Sequence, residues 1–108
     1  MLKIYGVARS VVRRMAPVCA GIERHDADLA RQLRRALASV LLNMREGSQS
    51  QGRNRNARYW NAAGSLSEVL GGLDVAEDLG YVAGVDAALR RDACRVIAGL
   101  HSVAGRRR

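Results

Sequence analysis

Apolar residues recur at helical spacing in four successive segments of this chain, and this periodicity limits the fold more than any other feature. In each segment, apolar side chains return every three or four residues, which is the period of one helix face. Four such segments joined by short turns predict an all-α, up-down-up-down antiparallel four-helix bundle, formed as a single domain over residues 1–108. The segments run from residue 3 to 23, from 26 to 47, from 54 to about 79, and from a start between Val82 and Asp86 to Gly105.

Capping residues and helix breakers predict where these helices end. Asp26 is suited to cap the second helix, and Gly47 is predicted to end it in the left-handed conformation. The loop Ser48–Asn54 is polar and predicted to be exposed, with its last residue capping the third helix, which Gly80 ends. Pro17 removes a backbone donor inside the first helix, so a kink or local break is expected there.

Positive charge is concentrated in the first half of the chain. Residues 1–58 hold twelve Lys and Arg against four Asp and Glu, whereas residues 59–108 hold six of each. Such a field favours a polyanion such as RNA or DNA, although a merely solvated basic face remains an alternative. Guanidinium groups suit phosphate because they donate two parallel hydrogen bonds. The candidate nucleic-acid ligands are Arg9, Arg13, Arg14, Arg31, Arg34, Arg35, Arg53, Arg55 and Arg58.

The sequence offers little for base recognition or for catalysis. With one tryptophan and three tyrosines there is no aromatic platform for stacking, so binding is expected to be to the backbone, with little sequence readout. His25 and His101 are far apart, and no Glu-x-x-His pattern occurs, so neither a metal site nor a cofactor is expected. Cys19 and Cys94 are expected to be reduced core thiols. No apolar run is long enough to span a membrane and no secretion signal is recognisable, so a cytoplasmic protein is expected.

Two lines of unusual residues lie beside the apolar stripes of the second and third helices. Asn43, Glu46, Ser65 and Glu68 are predicted to form a polar network between the two helices or a subunit contact, because buried polar groups need partners. A carboxylate pair for acid–base chemistry is disfavoured. The second line repeats every seven residues with small side chains and predicts that another backbone approaches closely, either a neighbouring helix or a second subunit. Its members are Ala57, Gly64 and Gly71.

Four stretches carry a resemblance to a known family. The chain resembles the four-helix-bundle family of 23S rRNA intervening-sequence proteins, which is similar to the accessory variability determinant of diversity-generating retroelements. Arg45 stands where that family usually has alanine. The resemblance implies a homo-oligomer with a pentamer-like barrel, nucleic-acid binding and no catalytic activity. The stretches are R-Q-L-R-R-A at 31–36, S-V-L-L-N-M-R-E-G-S at 39–48, R-Y-W-N-A-A-G-S-L-S-E at 58–68 and E-D-L-G-Y at 77–81.

The sequence thus predicts a non-enzymatic, basic bundle that self-associates and binds RNA or DNA through its arginines. One alternative is an accessory subunit of a diversity-generating retroelement, with a reverse transcriptase as its partner. The other is a purely structural homo-oligomer with no nucleic acid partner.

Overall fold

The computed structural model describes residues 2–105 and contains, within that part of the chain, four α-helices and no strand. Each helix packs against its neighbours in sequence, and α1 also packs against α4. The four therefore form a closed square with up-down-up-down topology, 42 Å long and 24 Å across. The predicted all-α four-helix bundle is confirmed. The helices are α1 Lys3–Glu23, α2 Ala27–Ser48, α3 Gly52–Asp78 and α4 Ala87–Ala104.

The core lies along the bundle axis and follows the predicted apolar spacing. Each buried aliphatic side chain contributes about 1.5–3 kcal/mol relative to an exposed one, so these contacts provide most of the driving force for folding. No polar or charged residue among residues 2–105 is buried. The largest fully buried side chains are those of Met15, Ile22, Leu33, Met44, Leu66, Leu73 and Leu100.

The predicted helix ends are confirmed where local capping chemistry decides them. The carboxylate of Asp26 accepts a hydrogen bond from the backbone N–H of Leu29 at 2.9 Å and caps α2. Asp86 caps α4 in the same way, because its carboxylate accepts from the N–H of Ala88 at 2.9 Å. Gly80 follows α3 with a φ of +75°, the left-handed conformation that glycine tolerates best.

The predicted ends around the loop that joins α2 to α3 are wrong. Gly47 lies inside α2, which continues to Ser48 and ends without a left-handed residue. A Cβ at Gly47 would lie 2.5 Å from the ring of Tyr59, so this position needs glycine for packing. The loop is shorter than expected, because α3 already begins at Gly52, and Asn54 lies in its first turn rather than capping it.

Two further expectations about α1 and α4 need correction. The break expected at Pro17 does not occur, since α1 is one continuous helix from Lys3 to Glu23. Cys19 is buried as predicted, and burial raises the pKa of its thiol. Cys94, however, is exposed on α4 and is not a core thiol. None of the four helices combines the length and hydropathy needed to cross a lipid bilayer.

The α1–α2 turn and the α3–α4 loop meet at one end of the bundle. The ring of His25 in the turn stacks on the ring of Tyr81 in the loop, with centroids 5.3 Å apart. Six of the ten acidic residues lie in these connections or in the adjoining last or first turns of the helices, and Asp74 directly precedes the last turn of α3. We call this the acidic end; its acidic residues are Glu23, Asp26, Asp28, Asp74, Glu77, Asp78 and Asp86.

Candidate nucleic-acid interface

The opposite end of the bundle brings together cations from three helices. It consists of the first two turns of α1 and α3 and the last two turns of α2 and α4. Six lysine and arginine residues lie in these turns, against Glu46 as the one acidic residue. We call it the basic end; its cations are Lys3, Arg9, Arg45, Arg53, Arg55 and Arg58.

Helix geometry explains why these cations accumulate there. In an up-down-up-down bundle the starts of α1 and α3 lie beside the ends of α2 and α4. Both starts depart from the usual rules for helix N-termini, since neither has a side-chain cap or an acidic residue in its first turn. Their first backbone N–H groups and the positive end of the helix dipole therefore add to the charge of the cations.

Ion pairs divide the nine predicted arginines into two groups. Five of them, Arg9, Arg13, Arg35, Arg53 and Arg55, form no ion pair with any residue between 2 and 105. The other four are paired. Three of these pairs are exposed and contribute only about 0–1 kcal/mol each, whereas Arg14–Asp92 is half-buried. The pairs are Arg14–Asp92 at 2.6 Å, Arg31–Asp28 at 3.0 Å, Arg34–Glu23 at 2.5 Å and Arg58–Glu46 at 2.9 Å.

The structure does not gather all nine arginines on one surface. Arg14 faces α4 through its pair with Asp92, and Arg31 lies at the acidic end. Arg35 lines a groove between α2 and α3. Four of the nine lie at the basic end, and Arg13 lies one turn further along α1 from Arg9.

Arg45 belongs to the basic end, although it was not among the arginines predicted to bind nucleic acid. Its guanidinium lies 5.9 Å from the ring centroid of Tyr5. Arg9 follows Tyr5 by four residues on α1, so Arg45 and Arg9 flank the same edge between the two helices. The sequence contains one signal for this position of Arg45. It follows Arg34 by eleven residues, or about three helical turns, so the two arginines lie on one face of α2.

Arg55 is held in place by several contacts. Its guanidinium lies 5.8 Å from the ring centroid of Tyr59 and donates hydrogen bonds to the side chain of Asn56 at 3.3 Å and to the carbonyl of Val103 at 3.4 Å. These contacts join the start of α3 to the end of α4. Stacking on an aromatic face suits the planar guanidinium and limits its freedom, so Arg45 and Arg55 are both partly positioned before any ligand binds.

The predicted polar network is smaller than expected. The amide of Asn43 donates to the hydroxyl of Ser39 at 3.0 Å, and this hydroxyl shares a 2.8 Å hydrogen bond with that of Ser65. Glu46 instead pairs with Arg58 across the basic end. Glu68 is exposed and has no hydrogen-bond partner in the described part of the chain. The hydrogen bonds therefore include Asn43 and Ser65 of the predicted four, with Ser39 connecting α2 to α3, and they leave out Glu46 and Glu68.

Gly64 and Gly71 do not bring two helices of this chain together. Both are exposed, and a Cβ at either position would have no neighbouring atom within 4 Å; Ala57, the third member of the line, is half-buried. The expectation of a close approach by a helix of the same chain was therefore wrong. A Cβ would instead collide with another element at Gly47 and Gly72.

A model of the 23S rRNA-intervening sequence protein family matches residues 1–101. The chain belongs to this family. The match includes all of α1 and most of α4, so it extends well beyond the motifs in α2 and α3 that carried the resemblance. All six cations of the basic end lie within the part that matches the family. No curated protein is similar enough to this family member to add a further comparison.

The acidic end of this family member uses its charges within the fold. The carboxylate of Glu77 accepts from the backbone N–H of Val85 at 2.8 Å and also pairs with Arg90. Asp74 pairs with the same guanidinium at 3.0 Å. The hydrogen bond from Val85, together with Arg90, lowers the pKa of Glu77 despite some desolvation. Burial would lower the pKa of Arg90, but its hydrogen bonds to the two carboxylates raise it.

Proposed function

We propose that the protein is a non-enzymatic, self-associating bundle that binds the phosphate backbone of RNA or DNA through its basic end. The observation that carries this proposal is that six cations from three helices lie in one region with a single carboxylate. The uncapped N-termini of α1 and α3 point into the same region and favour anions. Membership of a family named after an intervening sequence in 23S rRNA supports RNA as the ligand.

Binding of this kind positions phosphates and reads little sequence. Arginine and lysine contacts to the backbone carry no base information, and the affinity comes from the release of counterions condensed on the nucleic acid. If about five phosphates are contacted, affinity for a duplex falls about 500-fold between 50 and 200 mM salt.

The test is a fluorescence anisotropy titration with a hairpin RNA and a duplex DNA over that salt range. The proposal predicts binding at 50 mM salt that weakens steeply and similarly for unrelated sequences. Salt-independent binding, or no binding at 50 mM, would contradict it. The second outcome would leave the two protein-only alternatives, a reverse-transcriptase accessory subunit or a structural oligomer.

Self-association is proposed to use the outer surfaces of α2 and α3. The exposed large apolar side chains of the described residues lie on or directly after these two helices: Leu42 is 62% exposed, Val75 44% and Leu79 60%. Val75 follows Gly71 by four residues, so it shares a face with the small side chains that leave room for another helix. An oligomer would present several basic ends at once, and contacts that are weak singly would act together.

Light scattering of Gly64→Leu and Gly71→Leu tests this surface. Both are expected to dissociate the oligomer, because a large side chain would fill the space a neighbour occupies. Gly6→Leu is the matched control, since Gly6 is also a helical glycine with open space around it, but on α1. A wild-type protein that is monomeric at micromolar concentration would contradict self-association, and an oligomer that survives both changes would exclude this surface.

A further inference from the structure

We infer that the basic end takes the phosphate backbone of a double helix rather than a single strand. This inference rests on the proposed function and names its ligand class: two antiparallel strands with phosphates at fixed separations, whether RNA or DNA. Three features of the basic end support it: its aromatic rings are covered by other side chains, its cations lie on three helices, and its affinity without base stacking must be electrostatic.

The aromatic rings nearest the basic end are already occupied by cationic or ionisable side chains. Arg45 lies over Tyr5, Arg55 lies over Tyr59, and the ring of His101 lies 4.4 Å from that of Trp60. Tyr59 is also only 3% exposed. Proteins that hold single strands stack successive bases on exposed aromatic rings, and this surface has no such platform among its described residues.

The cations are distributed over α1, α2 and α3 rather than along one helix. Packed helix axes lie about 8–10 Å apart, so the backbones that carry these cations on neighbouring helices are separated by a distance of that order. The two strands of B-DNA face each other across grooves about 6 Å and about 12 Å wide. Cations attached to three packed helices at such separations suit phosphates of both strands, whereas a single strand must be ordered to reach them all.

Without stacking, the remaining source of affinity is electrostatic, and it favours the duplex. A double helix has the higher charge density, so each neutralised phosphate contributes a salt slope of about 0.9, against about 0.7 for a single strand. For about five contacts the difference amounts to roughly tenfold in affinity at 0.1 M salt. A-form RNA and B-form DNA both present phosphates on two antiparallel strands, and the experiment compares their affinities.

The experiment measures anisotropy of the full chain with a 20-base-pair RNA duplex, a DNA duplex of the same sequence, and one strand of each. The expected result is that each duplex binds about tenfold more tightly than its own strand at 0.1 M salt, with the steeper salt slope. Emission from Trp60, the one tryptophan of the chain, is expected to stay unchanged when a single strand is added. The two duplexes compared with each other show whether A-form or B-form geometry fits better.

The possible outcomes separate this inference from the proposed function. If a single strand binds as tightly as its duplex or more tightly, or quenches Trp60, the inference is overturned while the proposed function stands. If neither form binds at 50 mM salt, the proposed function itself fails. The double variant Arg24→Ala, Arg91→Ala is the control, because it removes two cations near the acidic end that form no ion pair with any of residues 2–105 and is expected to leave the duplex preference unchanged.

Discussion

The two ends of the bundle use charge in opposite ways. At the acidic end, Asp26 and Asp86 cap the N-termini of α2 and α4, and Glu77 binds both the α3–α4 loop and Arg90. At the basic end, the N-termini of α1 and α3 have neither caps nor acidic residues, and α3 carries arginines in its first turns instead.

This difference separates charges that stabilise the fold from charges that do not. A cation at a helix N-terminus opposes the dipole at a cost of about 0.3–1 kcal/mol, so Arg53 and Arg55 do not stabilise the start of α3 through the helix dipole. Residues that depart from the capping and charge preferences of stable helices tend to mark functional sites. The comparison therefore supports the proposal that the ligand binds at the basic end, whereas the charges of the acidic end serve the fold.

The largest expected effect is on nucleic-acid affinity. The triple variant Arg9→Ala, Arg45→Ala, Arg53→Ala removes from the basic end three cations that have no ion pair within the described part of the chain. Each lost phosphate contact weakens binding roughly fivefold at 0.15 M salt, so we expect a loss of about a hundredfold in anisotropy titrations. Arg24→Ala, Arg91→Ala at the other end should change affinity less than twofold. Equal losses from both variants would abolish the distinction between the ends.

The second prediction concerns the packing of Tyr59, the ring next to the guanidinium of Arg55. The guanidinium of Arg55 lies over the buried ring of Tyr59. Gly47→Ala places a methyl group against this ring, and overpacking of this kind lowers the free energy of unfolding by about 1–3 kcal/mol. The matched change Gly6→Ala, in open space on α1, should stabilise the helix by about 0.5–1 kcal/mol. Urea unfolding measures both. Similar stabilities for the two variants would show that Tyr59 is not fixed by Gly47.

The third prediction concerns two variants, one that adds an N-terminal cap at the basic end and one that removes a cap at the acidic end. Gln51 precedes α3 with the extended backbone of an N-cap residue but forms no capping hydrogen bond. Gln51→Asp should stabilise the protein by about 1 kcal/mol while weakening nucleic-acid binding, because it adds a cap and a negative charge. Asp26→Ala should destabilise by about 1 kcal/mol, lowering Tm by about 4–8 °C, without changing affinity. Thermal unfolding and anisotropy of both variants check this. A Gln51→Asp protein that binds as well as wild type would contradict it.

The smallest expected effect is the pH dependence of the acidic end. The pKa of Glu77 is lowered in the folded protein, so its stabilising contribution is present above the ordinary value of 4.5 and is lost as pH falls through the lowered value. Thermal unfolding between pH 5 and pH 3 should show a steeper decline in Tm for wild type than for Glu77→Gln. Parallel declines would show that Glu77 does not contribute in this way.

The sequence predicted the two ends with different success, for a physical reason. Helix ends at the acidic end follow from local capping by Asp26 and from the left-handed Gly80, both readable from neighbouring residues. At the basic end, Gly47 lies within α2 with the ring of Tyr59, twelve residues away, packed against it, and α3 starts at Gly52 without a side-chain cap. A contact between two helices is not contained in a local pattern, and an uncapped start has no capping residue to mark it.

Prediction of the candidate site from sequence is limited in the same way, because contacts between distant residues are not visible in a local pattern. Arginine as the residue type follows from composition and phosphate chemistry, but which arginines are neutralised depends on distant partners. Arg14 pairs with Asp92, 78 residues further along the chain. In the sequence, Arg45 stands out only as a departure from the family pattern, and its position beside Tyr5 results from the packing of α1 on α2. The binding roles of the arginines and the contact surface on α3 stay predictions.

The central claim is that phosphates contact the basic end and not the acidic end. The most direct measurement is an NMR titration of backbone amides with the 20-base-pair duplex at 50 mM salt. We predict chemical-shift changes concentrated in residues 3–9, 42–58 and 98–104, and none in residues 23–28 and 74–86, which form the acidic end. Shifts concentrated at the acidic end, or spread evenly over both ends, would contradict this account.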